Sequence, residues 1–565
     1  MIDAAARMAE ALLRANPAVH VIATSREQLK AEGEWIHPVP PLAVPAGDDE
    51  DEDDPLQYGA VRLFVERARA AAPHFAPDQR LAALTAAICR RLDGIPLAIE
   101  LAASRVAALG IEEVAARLDD RFQLLTDGRR TALPRHQTLR ATLDWSYELL
   151  PEPERTVLRR LAVFAGPFAL EAPIAVVASP EIAPSEVVDG LFNLVEKSLV
   201  VAEIDGTVVA RYRLLDTTRA YALEKLGDSG ERERIARCHA GYYNDLFERA
   251  EAEWETRPTP EWAAEYGLQI DNLRAALDWA FSPNGDASIG VALTAAAVPL
   301  WLHLSLLDEC LGRVERAIAA MEVGTNPDAR HEMKLHATLG ALLMYTHGKA
   351  AVAGAGAAWT RAFEIAESLD DAEYRLVSLW GLWFFHFASS RHRMALELAQ
   401  RFRALAANRP DPNYRLVGER MIAASQYYLG DHSSARRHLE RVLAGYITPN
   451  YTSPVLRFQF RLHVAARVYL ARILWLQGFP DQAIRAAESS VEEARAANHV
   501  LSLYYALTQA ACPIALLVGD VAAAESYLSM LVDQSTRHSL PFWAPLGRCD
   551  WGVLLIKRGD LDAGL

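Results

Sequence analysis

Apolar residues recur at helical spacing along most of this chain, and two regions depart from that period. Residues 2–15 alternate apolar and polar groups as an amphipathic helix does, and the pattern stops before Pro17. Residues 18–24 ("AVHVIAT") form an apolar, β-branched run that predicts a buried strand of a parallel sheet. A helix followed by a strand is half of a βαβ unit. We therefore expect the chain to start inside an α/β domain that covers residues 1–45.

The next segment, residues 46–55, is acidic and flanked by prolines. Its run "DDEDEDD" lacks the glycine and the spaced glutamate of a calcium loop, so a solvated linker is predicted. Residues 56–130 return to apolar stripes at i, i+3 and i+4, and Pro96 lies near the first turn of one such stripe. These residues predict a small helical domain.

The pattern changes again over residues 131–228, the second region that departs from a purely helical period. Three short helical segments precede "LVVAEI", the turn "DG" and "TVVARYRLL", a combination that predicts a β-hairpin. Three helices followed by a hairpin indicate a winged-helix domain.

Residues 229–565 are helical throughout, with small residues at the turns. Gly430, Gly478, Gly519 and Gly559 each follow one helical segment and precede another that contains alanine, at successive steps of 48, 41 and 40 residues. A period of this length is typical of helical-hairpin solenoids, and it exceeds the roughly 34 residues of a standard tetratricopeptide repeat. We predict a tetratricopeptide-like array whose last repeat is incomplete.

Composition narrows the functional classes. The formal net charge is −15, from 58 basic and 73 acidic residues, so the overall field repels nucleic acid. The five cysteines are far apart and form no CxxC pair, which suits a reducing cytoplasm rather than a disulfide framework or a zinc site. No signal peptide is recognised, and no apolar run approaches the ~20 residues that a membrane span needs. We expect a cytoplasmic protein that does not enter the membrane.

The sequence matches neither of the two enzyme motifs considered below. The string "HEMKLH" resembles a zinc-protease helix, but His336 follows His331 by five residues instead of four and so leaves its face of the helix. A Gly-x-Ser-x-Gly elbow is also lacking. We expect neither a catalytic residue nor a bound metal.

Several long strings resemble one family. In chain order they are "VIATSRE", "RLDGIPLAIELAASRV", "LPRHQTLRATLDWSYELLPEPERTVLRRLAVFAGPF", "YRLLDTTRAYALEKL" and "DNLRAALDWAF". They resemble the signal-transduction (STAND) ATPases of AfsR-like and LuxR-type bacterial transcriptional regulators, which are related to NB-ARC domains. The resemblance implies a P-loop ATPase core, a helical lid, a winged helix, and repeats that sense a small-molecule inducer or a protein partner. It makes the predicted fold mainly α: a residual α/β fragment of a P-loop NTPase domain (1–45), a lid (56–130), a winged helix (131–228) and a solenoid (229–565).

The resemblance also suggests nucleotide-sensing residues. Thr24, Ser25 and Arg26 match the segment whose arginine reaches the terminal phosphate of ATP, a role that suits a planar, permanently charged guanidinium. Without the resemblance, an arginine that caps a strand end or pairs with Glu27 would be the simpler interpretation. Gly94-Ile95-Pro96 matches the GxP motif, whose proline packs on adenine, although a Gly-x-Pro alone is only a helix start.

A third motif departs from the family pattern. Leu214, Leu215 and Asp216 align with a Met-His-Asp motif whose histidine contacts the resting nucleotide. Leu215 replaces that histidine and cannot donate a hydrogen bond to a phosphate. Direct nucleotide sensing by the wing is therefore in doubt.

The phosphate-binding motifs of such a site are missing from the sequence. The only Gly-Lys pair, Gly348-Lys349, is followed by Ala350 and falls at a repeat turn, so it is not a P-loop. In the family both Walker motifs precede the segment that resembles residues 2–17. We therefore expect ATP or ADP and magnesium to bind only in a longer parent, and this chain to be a fragment, the product of a misplaced start, or a degenerate paralogue.

Two further questions concern partners. The predicted recognition helix carries Glu186, Asp189 and Glu196 against Lys197, so we do not expect direct DNA binding. The basic cluster at residues 129–140 is instead expected to face the nucleotide-binding core. The alternative function is a stand-alone adaptor whose repeats bind a protein or peptide; self-association is also open. An in-frame Gly-rich loop encoded upstream of Met1 would favour the regulator over the adaptor.

Overall fold

The computed structural model of the chain is mainly helical, as predicted. It describes residues 2–16, 18–25, 28–37, 39–45, 54–72, 75, 78–120, 139–203, 210–254, 256–323, 328–344, 349–445, 461–497, 499–537 and 544–565. These residues divide into two units, one formed by residues 1–243 with 268–286 and the other by residues 244–267 with 287–565. The predicted linker, the wing turn and the basic cluster up to His136 lie largely outside the described residues.

The first unit begins with α1 (Ile2–Ala15), which confirms the predicted helix. Residues 18–25 are extended but lie in no strand, so the strand predicted over 18–24 is wrong in the structure. The physical reason is that no second strand among the described residues satisfies its backbone groups. The side chain of Ile22 is 94% exposed as a result. A residual P-loop sheet is thus not visible in the described chain.

The region predicted as a lid, which keeps that name below, is a compact group of helices. Its core contains Val61, Phe64, Ile88 and Ile99, each fully buried, because the apolar stripes of these helices face one another. Leu42 and Val44 pack against the same core from the extended segment that precedes the linker. The helices are α2 (Gly59–Ala71), α3 (Gln79–Arg91), α4 (Pro96–Leu109) and α5 (Ile111–Ala116).

The winged helix follows the predicted order, with one addition. Its strands pair antiparallel with Val201 opposite Arg213, and Phe168 forms a bridge to Tyr212 beside them. The sequence did not predict α8, because seven residues with a β-branched, apolar composition carry no clear helical period. The elements are α6 (Leu139–Glu148), α7 (Glu152–Leu161), α8 (Glu171–Val177), α9 (Pro184–Glu196), β1 (Val201–Glu203), β2 (Arg211–Arg213) and α10 (Asp216–Asp228).

The first part of one long helix and one later helix complete the first unit. The boundary between the units falls within α11 (Arg232–Glu253), and α12 (Thr259–Tyr266) belongs to the second unit. The chain then returns to the first unit with α13 (Ile270–Ala280).

The second unit is a series of antiparallel helical hairpins, which confirms the tetratricopeptide-like array. The glycines at 430, 478, 519 and 559 all have positive φ, between +82° and +92°, and each turns the chain from one helix of a hairpin into the next. The helices are α14 (Ala287–His303), α15 (Leu307–Val323), α16 (Ala329–Leu343), α17 (Lys349–Ser368), α18 (Ala372–Ala388), α19 (His392–Ala406), α20 (Asn413–Tyr428), α21 (His432–Gly445), α22 (Leu462–Leu476), α23 (Pro480–Ala496), α24 (Val500–Ala506), α25 (Cys512–Val518), α26 (Val521–Arg537), α27 (Ala544–Lys557) and α28 (Leu561–Gly564).

A π-helical turn, Leu507–Ala511, joins α24 to α25. Pro513 follows it and has no N–H to donate, which accounts for the wider turn. By length and composition the 19 residues Val500–Val518 could cross a membrane, so the statement from the sequence that no apolar run approaches this length is wrong; 67% of its apolar window is buried inside the unit. Tyr504, Leu507 and Ala510 of this helix belong to the core of the array.

Candidate functional site at the junction of the lid and the winged helix

The turn before α4 holds the Gly-x-Pro motif. Gly94 has a φ of +65° and lies so close to Leu42 that a Cβ would come within 2.1 Å of the Leu42 carbonyl oxygen. The Gly94 carbonyl accepts a 3.0 Å hydrogen bond from the Leu42 N–H. Only glycine fits this position, because both the backbone angle and the close approach exclude a side chain. Pro96 opens α4 and is exposed.

The Leu214–Asp216 motif lies where β2 leads into α10. Leu214 is buried, Leu215 is partly exposed, and Asp216 is exposed. Leu215 is the N-cap residue of α10, with φ −63° and ψ 145°, but its side chain cannot accept a hydrogen bond from the helix. The first N–H groups of α10 therefore need an acceptor from elsewhere in the chain.

That acceptor is the Asp93 carboxylate, which belongs to the turn of the Gly-x-Pro motif. Its Oδ1 accepts from the Asp216 N–H at 3.0 Å, and its Oδ2 accepts from both the N–H and the hydroxyl of Thr217 at 3.0 Å. Burial raises the pKa of Asp93, and the hydrogen bonds from Thr217 and Asp216 act in the opposite direction. The structure thus joins two of the three predicted sensing motifs through one residue that sequence reasoning missed.

Two further side chains fix α10. The Tyr221 hydroxyl donates a 2.6 Å hydrogen bond to Oδ1 of Asp144 on α6, and the Tyr221 ring lies in the core of the lid. Arg219 Nε donates to the Phe164 carbonyl at 2.7 Å. Together with Asp93, these bonds attach α10 to the lid, to α6 and to the loop after α7.

The described residues do not fit a nucleotide phosphate at this junction. A phosphate site at a helix N-terminus needs free N–H groups and usually a cation, but here a carboxylate already accepts from the first N–H groups of α10. Leu215 adds no donor. Thr24 and Ser25 are exposed on the extended segment. Arg26 lies outside the described residues. We therefore derive no step through ATP or magnesium.

The exposed charged side chains of the predicted recognition helix α9 are acidic. Glu186, Asp189 and Glu196 are all exposed. The single basic residue that follows, Lys197, is paired with the nearly buried Glu154 of α7. A surface of this charge repels phosphates instead of neutralising them.

A buried asparagine that sequence reasoning did not single out binds the backbone of the loop after α7. Asn272, on α13, is fully buried. Its Oδ1 accepts from the N–H groups of Ala165 (2.8 Å) and Gly166 (3.1 Å), and its Nδ2 donates to the Pro167 carbonyl (3.0 Å). The signal was present, because "FAGPF" and "DNLRAALDWAF" are both among the strings that carry the family resemblance, but the sequence did not show that they touch.

The fold and this junction define a winged-helix module that packs against a preceding group of helices. Residues 150–227 match the winged helix-turn-helix domain family. Over 311 residues the chain is 43% identical to the "Putative HTH-type transcriptional regulator Rv0890c" of Mycobacterium tuberculosis, across 55% of this chain and 33% of that protein. It is also 43% identical over 236 residues to the "Uncharacterized protein Mb0918" of Mycobacterium bovis, across 42% of this chain and 57% of that protein. The chain spans about a third of the length of the first relative and just over half of the second.

Two solved structures are loosely similar. One is a STAND protein with a tetratricopeptide repeat sensor from Pyrococcus horikoshii, at 13% identity and a TM-score of 0.39, over 89% of this chain and 70% of that one. The other is a Rap protein complexed with competence and sporulation factor, at 11% identity and a TM-score of 0.38, over 59% and 95%. At these TM-scores neither likeness adds to the argument.

Proposed function

We propose that this chain is the lid, winged-helix and sensor-repeat part of a cytoplasmic transcriptional regulator of the STAND type, and that it is not itself an enzyme. The winged helix-turn-helix match and the relatives described as transcriptional regulators support the regulatory role. The strings that resemble STAND ATPases support the finer assignment. In this proposal the repeats bind an inducer or a protein partner, and the winged helix transmits the change without reading DNA.

The observation that carries the proposal is the Asp93 bridge. A carboxylate from the lid supplies the cap of a winged-helix helix 123 residues further along the chain. Hydrogen bonds to a charged group contribute roughly 1.5–3 kcal/mol each at best, and less where burial already disfavours the charge. A bridge of this strength holds one arrangement of lid and wing, yet a ligand of ordinary affinity is able to release it.

The test replaces Asp93 by Asn in cells that lack the chromosomal gene. Asn tolerates the φ of +55° at this position, but it has one acceptor oxygen where Asp has two, so its NH2 group would face either the Asp216 N–H or the two donors of Thr217. Deletion of the gene should change a set of transcripts. We expect the wild-type gene to restore the levels of these transcripts and the D93N gene to fail to restore them. RNA sequencing of the deletion strain, the wild-type complement and the variant measures this.

The matched control is Asp78→Asn. Asp78 caps α3 within the lid by accepting from the Leu81 N–H at 2.8 Å, and Asn caps helices as well as Asp does. We expect D78N to behave as wild type. Transcripts that respond alike in D93N and D78N would contradict a signalling role for the bridge. A deletion that changes no transcript would contradict the proposed function as a whole.

A further inference from the structure

The helices α18, α20, α22 and α24 of the second unit carry a cluster of aromatic rings and arginines. The rings form a chain of contacts: Trp383 to Phe387 at 5.1 Å, Phe387 to Tyr428 at 5.2 Å, and Tyr427 to Tyr469 at 5.7 Å between centroids. Two arginines stand over rings of this chain. We call Arg420, Arg472, Tyr427, Tyr428, Tyr469 and Tyr505 the arginine–tyrosine cluster.

Arg420 is the unusual member. It is only 5% exposed, and its guanidinium lies 5.0 Å from the centroid of the Trp383 ring. Burial lowers its pKa. Among the described residues it has no hydrogen-bond or ion-pair partner. A buried cation without a counter-ion is costly, so its retention needs a reason.

Arg160 is another buried arginine of this protein, and it has a carboxylate partner. Arg160 is 3% exposed, and its Nε donates to Oε1 of Glu231 at 3.1 Å. Although burial acts to raise the pKa of Glu231, the hydrogen bonds from Arg160 and Arg159 bring it down to about 2. The carboxylate that completes the Arg160 site has no equivalent beside Arg420 among the described residues.

Arg472 is the second cation of the cluster. Its guanidinium lies 5.2 Å from the Tyr427 centroid, and its Nη1 donates to Oε1 of Gln509 at 3.1 Å. No carboxylate lies within ion-pair distance of it in the part of the chain that the structure describes. Gln509 belongs to the π-helical turn, and such turns occur frequently at functional sites.

The tyrosines do not neutralise these charges. Burial raises the pKa of both Tyr469 and Tyr505, so their hydroxyls stay protonated, and the two are hydrogen-bonded to each other. Tyr428 is 43% exposed and connects the cluster with solvent. The groups beside the arginines are therefore neutral hydroxyls, and a hydroxyl is able to donate to an anion where it does not already donate to a neighbour.

We propose that the arginine–tyrosine cluster binds an oxyanion, carboxylate or phosphate, carried by the ligand of the repeats. A guanidinium presents planar N–H donors that suit an oxyanion, and an arginine already held against an aromatic ring loses little entropy on binding one. The bound anion supplies the counter-ion that Arg420 lacks. The inference rests on the proposed sensor role of the repeats and names the chemistry of what they bind.

The experiment uses thermal unfolding of the purified full chain with sodium succinate or sodium phosphate as probes, against sodium chloride at equal ionic strength. We expect at least one probe to raise the melting temperature of the second unit by roughly 2 °C or more at millimolar concentration. The shift should be lost in Arg420→Met and in the less buried Arg472→Met. In the absence of a probe, R420M should melt above wild type, because an unpaired buried charge is gone.

Arg436→Met is the matched control, because Arg436 also lies over a ring, that of Phe479 at 5.5 Å, but it is paired with Glu440 at 2.7 Å. It should keep the anion response. A response to succinate alone identifies a carboxylate ligand, and a response to phosphate alone identifies a phosphate ligand. A shift no larger than that in chloride, or one that persists in both R420M and R472M, overturns the proposal. Neither result depends on transcription, so this inference and the proposed function fail separately.

Discussion

Replacing Asn272 by Ala tests whether the contact between α13 and the loop after α7 holds the winged helix in place. The substitution removes the acceptor of the Ala165 and Gly166 N–H groups and the donor to the Pro167 carbonyl. It also leaves a small cavity at a fully buried position. No other side chain is recorded on these three backbone groups among the described residues.

The magnitude follows from those lost partners. A buried polar group left without a partner costs about 1–3 kcal/mol. The loop residues are only partly buried, so water restores some of the loss. We expect N272A to lower the free energy of unfolding of the first unit by about 2–4 kcal/mol, which corresponds to a roughly 30- to 1,000-fold increase in opening of the loop.

Hydrogen exchange measured by mass spectrometry on peptides that cover residues 162–168 reports this opening directly. Asn193→Ala serves as the control, because Asn193 is exposed and makes a single hydrogen bond, to Glu154, at 3.1 Å. It should change stability by about 0.5 kcal/mol or less. If the amides of residues 162–168 exchange as slowly in N272A as in N193A, Asn272 does not hold this loop and the reasoning fails.

Three further predictions concern acid, nucleotide and the N-terminus. Burial holds the pKa of His239 at about 3, against 6.5 in the unfolded chain, so the first unit should lose about 1.4 kcal/mol per pH unit as pH falls below 6.5; urea unfolding of His239→Gln should lack that part of the slope. Isothermal titration with Mg-ATP or ADP should show no micromolar binding, and micromolar affinity that disappears in Arg26→Ala would contradict this. Deleting residues 1–36 should barely change the melting temperature, whereas deleting residues 1–45 should lower it, because Leu42 packs on the lid.

Sequence patterning predicted the elements whose cause is local. The repeat glycines could be located because a helical hairpin needs a residue with positive φ at its turn, and glycine adopts it without strain. The wing was predicted because two apolar, β-branched segments flank an Asp-Gly turn, which is a local signal for a β-hairpin. The burial of Arg420 could also have been predicted, because it shares a helical stripe with Val417, Met421 and Ala424, all of them buried.

What the sequence could not provide depends on contacts between distant residues. The run at 18–24 has the composition of a strand, but a strand exists only where a neighbour pairs with it. Asp93 looks like an ordinary residue of a helix end, and nothing in its surroundings predicts that it caps α10. The bond between Asn272 and the loop at 165–167 spans more than 100 residues for the same reason. Pattern thus predicts elements better than it predicts the polar contacts that join them.

These contacts change how the string "LLDTTRAYALEKL" is understood. By resemblance, its first residues sense a nucleotide, and Leu215 is a departure that weakens that role. In the structure Thr217, Arg219 and Tyr221 bond to three separate parts of the first unit: the turn at Asp93, the loop after α7, and α6. The packing of α10 is therefore sufficient to explain these residues, with or without a bound phosphate.

The same geometry bears on the signalling role proposed above, because it determines which movement of α10 costs least. If α10 moved away from α6 and the loop after α7, it would break the bonds of Tyr221 and Arg219 and pull the Tyr221 ring out of the lid core. A fully buried aromatic side chain contributes about 1.5–3 kcal/mol by burial alone, so that motion is the costly one. If instead only the turn at Asp93 shifted, the three hydrogen bonds to the first turn of α10 would break and the exposed N–H groups would bond to water. Under the proposed function, the Asp93 turn is therefore where we expect ligand binding to change the arrangement, and this is the reason for choosing D93N as the first variant to test.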